Sequence, residues 1–123
     1  RVVNKINTFS SGRILFQKSL EKEKLNDYLE ISDCIIIPSL SEGFGFTTLE
    51  ACSLDKIVIA TKAGSIPEVI FGKNILINPG NTDEIINACM MAANGEYNQT
   101  EKKNFNWNLS VNNYIKVYKE IIN

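Results

Sequence analysis

Short apolar blocks alternate along this chain with longer segments in which apolar residues recur every three or four positions, the signature of strands alternating with helices. Ile14-Leu15-Phe16 is a short candidate strand. From Leu20 to Ile31, Leu25, Tyr28 and Leu29 fall at helical spacing, with Ser19 as the expected cap. Cys34-Ile35-Ile36-Ile37 is an unbroken β-rich run, as expected of a strand covered on both faces, and Pro38 ends it. Gly45 to Leu54 reads as the next helix, with Leu49 and Cys52 among its buried positions. Ile57 to Thr61 is a second covered strand. The turn Ala63-Gly64-Ser65-Ile66-Pro67-Glu68 opens a short helix with Pro67 near its first position. Ile75 to Ile77 is a third strand, closed by Asn78-Pro79-Gly80.

Thr82 to Ala93 carries the full set of helix signals. Asn81 or Thr82 caps it, Asp83 and Glu84 complement its positive end, and Asn94-Gly95 stops it. Glu96 to Asn106 is polar and expected to be loop. Ser110 is the expected cap of a last helix, in which Val111, Tyr114, Ile115, Tyr118, Ile121 and Ile122 recur at three- and four-residue steps. The fold class is therefore α/β, with parallel strands flanked by helices.

Composition narrows the function. The chain has 123 residues and 44% apolar content, enough for one small domain with a modest core. Thirteen basic residues against fourteen acidic ones give no electrostatic case for nucleic acid or an anionic membrane surface. The longest apolar run is far short of a membrane span, and the first residues show no signal-peptide pattern. Three dispersed cysteines, Cys34, Cys52 and Cys89, fall on apolar faces and read as small buried hydrophobes in a reducing, cytoplasmic setting. The two glycosylation sequons, at Asn98 and Asn108, are then coincidental. With no histidine, the commonest general base and the commonest zinc ligand are both absent. No metal site is expected.

The candidate chemistry lies in Glu42-Gly43-Phe44-Gly45-Phe46-Thr47-Thr48-Leu49-Glu50. This segment follows a strand end and opens a helix, the place where open α/β sheets bind ligands. The amides of Phe44 through Thr48 would be the unpaired donors of the helix start, and with the helix dipole they favour an anion such as a diphosphate. Gly43 and Gly45 allow a tight turn and a close approach of ligand to backbone. Glu50 lies one helical turn beyond Phe46, roughly 6 Å along the axis. There it could accept from a ribose diol, while Glu42, ahead of the helix, could accept from sugar hydroxyls. Spacing alone is equally compatible with a plainer reading: Glu42 favouring a helix start, Glu50 solvated, and an ordinary glycine loop between them.

The run Pro38-Ser39-Leu40-Ser41-Glu42-Gly43-Phe44-Gly45-Phe46-Thr47-Thr48-Leu49-Glu50-Ala51 resembles the E-x7-E signature of family 4 (group 1) retaining glycosyltransferases of GT-B fold. Val58-Ile59-Ala60-Thr61 followed by Gly64-Ser65-Ile66-Pro67-Glu68 looks like that family's next strand and turn, and Ile75 to Gly80 with a capped helix also fits. Upstream, Leu25, Tyr28 and Leu29 with Ser32-Asp33 are similar to the helix and dipeptide before the signature strand. The resemblance covers about residues 14 to 93. It implies a partial Rossmann-like parallel sheet flanked by helices, the C-terminal half of a GT-B fold, as a nucleotide-sugar-binding domain over 1–123 that is incomplete at its N-terminal side. It implies a nucleotide-diphosphate sugar as donor substrate, no cofactor, an alcohol acceptor, and hexose transfer with retention in polysaccharide, glycolipid or cell-envelope synthesis. By the same resemblance Glu42 would act at the donor sugar near the reacting centre. Amides of Phe44 and Gly45 beside Gly43 would face the sugar, those of Phe46 and Thr47 the diphosphate, and Glu50 the ribose. Leu20 would lie near the base.

The chain departs from that family pattern in places. Leu54-Asp55-Lys56 stands where a Gly and a Pro are usual, and a Gly expected near Lys18 is missing. The Arg/Lys pair that neutralises donor phosphates would lie upstream, and Arg13, Lys18 and Lys62 read as solvated instead. An N-terminal acceptor domain and the first strands of this domain are expected to be missing, so that Ile14–Phe16 lacks neighbours and the fragment alone is inactive and marginal, or borrows strand pairing. Peripheral membrane contact could come through the missing domain. One rival is a non-catalytic nucleotide-sugar-binding module or subunit completing a partner's active site. Another is a sugar-nucleotide epimerase of GT-B shape.

Overall fold

A computed structural model describes residues 14–122 and resolves the chain into two compact units, 1–32 and 33–123. Among its described residues the first unit contains one helix, α1 (Lys22–Ile31). It starts after Glu21, without a side-chain cap, and not at Ser19. Leu25 and Tyr28 are exposed and Leu29 is half-buried, while Ser32 Oγ donates to the Leu29 carbonyl at 2.7 Å to close the last turn. Ile14–Phe16 is not a strand: it forms no ladder and its three side chains are exposed. Three exposed apolar residues supply too little burial to offset the entropy of ordering them as a strand.

The second unit runs β1 (Cys34–Ile37), α2 (Phe46–Ser53), β2 (Ile57–Thr61), α3 (Ile66–Val69), β3 (Gly72–Ile77), α4 (Thr82–Ala93), β4 (Asn98–Thr100), α5 (Trp107–Ile122). Its sheet has the order β1-β2-β3-β4. The first three strands are parallel, in the registers Ile36↔Ile59 and Ile59↔Ile75. β4 is antiparallel to β3, pairing Gly72 with Thr100. The polar stretch expected to be loop thus contains a short edge strand. Its residues Asn98, Gln99 and Thr100 are all exposed, so no apolar alternation announced it.

The sheet is α/β with helices flanking it, as expected of one half of a Rossmann-like fold. Ile59, Ile75, Ile77 and Ala88 form a buried cluster, with Cys34, Ile85, Cys89 and Ala92 packed around it. Val58, Ile59, Ile66 and Val69 are essentially inaccessible. Each such side chain contributes about 1.5–3 kcal/mol relative to exposure. β1 is covered less fully than its unbroken apolar run suggested: Ile35 and Ile37 are buried, but Ile36 is 42% exposed. Among the described strands β1 lies at an edge, with β2 on one side only.

α4 begins at the Asn81 cap, whose Oδ1 accepts from the Glu84 amide at 3.1 Å, and ends at Asn94-Gly95. The Glu84 carboxylate accepts from the Asn78 amide at 2.6 Å and from Asn78 Nδ2 at 2.8 Å, which ties the end of β3 to the helix. α5 begins three residues before its expected cap. Ser110 lies inside it, and its Oγ turns back to the Asn106 carbonyl at 3.3 Å. The apolar positions of α5 are all exposed in this chain.

Candidate functional site

The segment from Glu42 to Glu50 occupies the carboxyl end of β1 and the first turns of α2. Gly45 is the residue before the helix and adopts the left-handed conformation, φ 88° and ψ 44°, which a side chain disfavours. Its carbonyl accepts from the Leu49 amide at 3.0 Å, so the helix is hydrogen-bonded from that glycine onward. The amides of Phe46, Thr47 and Thr48 form the first turn, where helix geometry provides no internal acceptor. Phe46 and Thr47 are exposed, and Glu50 projects from an exposed position of the next turn. Glu42 is half-buried just ahead of them.

Gly43 behaves differently from Gly45. A β-carbon added there would meet nothing within 4 Å, and its φ is not in the positive range. The fold does not require glycine at this position.

The turn after β2 holds this loop in place. Gly64, with φ 51°, packs so closely on the backbone of Glu42 that a β-carbon would overlap the Glu42 carbonyl oxygen. Ser65 Oγ donates to the Gly43 carbonyl at 2.6 Å, and buried Thr61 donates through Oγ1 to the Ser39 carbonyl at 2.6 Å. Ser39 Oγ is 3.5 Å from Glu42 Oε2, a long hydrogen bond. Sequence reasoning placed Gly64 and Ser65 in a turn, Ser39 in the signature run and Thr61 in the second strand, but missed the grip of the turn on the Glu42 loop and the bond from Thr61 to Ser39. Bonds that span 22 residues leave no local pattern to read.

The same loop carries an aromatic wall. Phe44 lies 4.8 Å from Phe46 and 5.7 Å, edge-on, from Phe105. With Leu49, Trp107 and Ser110 these rings line a depression of about 280 Å³. Phe105 and Trp107, at the start of the last helix, were not candidates from sequence.

Thr48 is fully buried in the first turn of α2, and its Oγ1 has no hydrogen-bond partner among the described residues. Leu20 lies in the first unit, half-buried. Lys62, at the end of β2, is exposed, and together with the closer Asn78 donors its charge holds the Glu84 carboxyl below the usual carboxylate range. Lys103 is engaged, donating to the carbonyls of Glu68 at 2.6 Å and Pro67 at 3.2 Å at the end of α3.

The cysteines are free. Burial pushes the Cys34 thiol up, helped by the neighbouring Cys89, and burial likewise pushes up Cys52, whose sulfur accepts from the Phe71 amide at 3.5 Å. Protonated thiols are poor nucleophiles. Among the described residues no group of three or more His, Cys, Asp or Glu side chains could hold a metal, and no helix is long and apolar enough to cross a membrane.

Comparison with known proteins places this geometry. Residues 7–108 match the family described as glycosyl transferases group 1. An uncharacterized glycosyltransferase of Methanocaldococcus jannaschii is 30% identical over 125 residues, covering 94% of this chain and 35% of the relative. The D-inositol 3-phosphate glycosyltransferase of Corynebacterium jeikeium is 28% identical over 109 residues, 80% of this chain and 26% of the relative. The sulfoquinovosyl transferase of Arabidopsis thaliana is 32% identical over 83 residues, 63% of this chain and 16% of the relative. The chain thus spans 35% or less of the length of these curated relatives.

Proposed function

The chain belongs to the group 1 glycosyl transferases, and on that premise we propose that it is the donor-binding part of a family 4 retaining hexosyltransferase. The donor is a nucleotide-diphosphate sugar and the acceptor an alcohol, in polysaccharide, glycolipid or cell-envelope synthesis. The parent acts in the cytoplasm, in peripheral contact with the membrane where the acceptor is a lipid. The relatives named for transfer to an inositol phosphate and for sulfoquinovosyl transfer fit this class of chemistry.

One observation carries the reading. A loop ending in left-handed Gly45 presents the start of α2 at the carboxyl end of the parallel sheet and is clamped there by the next turn. Departure of a nucleoside diphosphate needs stabilisation of the charge that develops on its phosphates. Preorganised amides at a helix N-terminus supply part of it without rearranging during the reaction. The amides of Phe46 and Thr47 face the diphosphate, and those of Phe44 and Gly45, beside open Gly43, face the sugar. Glu42 accepts from sugar hydroxyls near the reacting carbon and favours the positive charge that builds there. Glu50, a turn further on, accepts from the ribose. Glu42 and Glu50 have unequal tasks in this scheme and are not the acid/base pair of a glycosidase.

The test is sugar transfer by the parent enzyme carrying Glu42→Gln or Glu50→Gln. Glu42→Gln lowers kcat by roughly a hundredfold or more, the scale of losing one charge-stabilising group. Glu50→Gln mainly raises the donor KM, by about tenfold or more for a charged hydrogen bond. Unchanged rates in both variants overturn the assignment.

A second reading rests on Lys62, which is exposed at the end of β2 with no hydrogen bond or ion pair to the Glu42–Glu50 loop among the described residues, so that the phosphate-neutralising cations would come from elsewhere. The chain would then be a nucleotide-sugar-binding module that completes an active site elsewhere. Assay of the full-length parent separates the two, since a module binds nucleotide sugar without turnover even there, whereas the enzyme transfers the sugar.

A further inference from the structure

Thr48 combines full burial with a hydroxyl that has no partner among the described residues. Such a group lowers the stability of the free protein, and valine would fill the same volume without that cost. The surroundings of the hydroxyl give threonine a purpose. A β-carbon on Gly45 would stand 3.6 Å from Thr48 Oγ1 and 3.6 Å from Glu42 Cγ. The side chain that Gly45 lacks therefore leaves a small space with the hydroxyl on one side, the stem of Glu42 on another and Ile66 Cγ1, 3.7 Å from the same point, closing a third. The Glu42 carboxylate is itself loosely held, at 3.5 Å from Ser39 Oγ.

Resting on the donor-site reading above, we propose that Thr48 is a positioning residue for Glu42. When a donor sugar occupies the loop, the Glu42 carboxylate turns from Ser39 into the space over Gly45 and accepts a hydrogen bond from Thr48 Oγ1. No proton is transferred. One carboxylate oxygen is fixed by the hydroxyl and the other faces the sugar in a single orientation. The buried, charge-assisted bond then recovers what the free protein forfeits by burying the hydroxyl alone. Left-handed Gly45 serves two purposes here, starting the helix and leaving the passage open.

The experiment uses the full-length parent with Thr48→Val and Thr48→Ser. Thr48→Val should be at least as resistant to denaturant as the wild type and should bind a nucleoside diphosphate unchanged, since backbone amides hold the phosphates. Its kcat for sugar transfer should fall roughly ten- to a hundredfold with little change in donor KM. Thr48→Ser, which keeps the hydroxyl, should restore kcat. A wild-type kcat in Thr48→Val overturns the proposal, as does a parallel loss of diphosphate affinity, which marks a packing role. Failure of serine to restore kcat in a folded variant also overturns it. Failure of the wild-type parent to bind nucleoside diphosphate sinks the donor-site reading itself. Normal diphosphate binding with unchanged Thr48→Val kinetics removes only the role of Thr48.

Discussion

Gly64 lies directly against the carbonyl of Glu42, with no room between them for a single carbon atom. The position of a candidate reacting carboxylate is thus set by a turn 22 residues further along the chain. Gly64→Ala adds a left-handed penalty of about 1–2 kcal/mol and must also displace the Glu42 backbone. We expect a stability loss greater than the left-handed term alone, measured by denaturant unfolding, and loss of sugar transfer. Gly43→Ala is the matched control, because its β-carbon enters open space. Its stability should stay within about 0.5 kcal/mol of wild type. Nucleoside-diphosphate-sugar affinity should nevertheless fall by about tenfold or more, 1.4 kcal/mol, if a ligand needs that space. Equal effects of the two substitutions would refute the distinction.

Thr61 tests the same clamp from the strand side. It is buried, and its hydroxyl serves the Ser39 carbonyl. Thr61→Val keeps the shape and leaves that carbonyl unpaired, at a cost of about 1–3 kcal/mol. Thr61→Ser keeps the bond and should retain more donor affinity than Thr61→Val, despite losing a methyl group. Calorimetric titration of both variants decides this, and the reverse order would exclude a role for the hydroxyl.

Asp55 occupies a left-handed position, φ 54°, in the turn between α2 and β2. This is one of the places where the resemblance led us to expect glycine. Its carboxylate accepts from Lys73 Nζ at 3.0 Å, and its carbonyl from the same nitrogen at 3.3 Å. The ion pair is exposed on the aspartate side and contributes about 1 kcal/mol at most. Asp55→Gly exchanges that for relief of backbone strain, so its stability should be equal to or up to about 1 kcal/mol above wild type. Asp55→Ala loses the pair and keeps the strain, and should be the less stable of the two by thermal denaturation.

Glu84 provides a pH test. Its folded-state carboxyl is held below the ordinary range, first by the Asn78 amide, then by the Asn78 side chain, with smaller help from Lys62 and Asn81. A depressed folded value means that the contribution is fully present above the unfolded carboxyl range and disappears as pH falls through the folded value. Stability should therefore decline on acidification across that window. Glu84→Gln should flatten this part of the profile while lowering stability at neutral pH. An unchanged acid limb in the variant would show that other carboxylates set it.

Burial at the right period explains what could be read in advance. β2 and α4 were located to the residue, at Ile57–Thr61 and Thr82–Ala93, because each combines a dense apolar pattern with a clear stop or cap. Ile14–Phe16 failed because apolar composition over three exposed residues does not make a strand. Ser19 and Ser110 failed as caps because serine is equally at home in a loop or inside a helix, where it can bond back to a carbonyl. The Gly-x-Gly entry to α2 was visible, and so was the unequal placement of Glu42 and Glu50 about it. The contacts of Ser65 with Gly43 and of Thr61 with Ser39 were not, since only the assembled sheet brings those residues together.

β4 sets how the sheet can associate. Three exposed polar residues terminate one side with a strand too short and too hydrophilic to recruit another. Among the described strands the other side ends in Cys34–Ile37, apolar and with Ile36 partly uncovered. Edge-to-edge pairing among the described strands is therefore open at β1 alone.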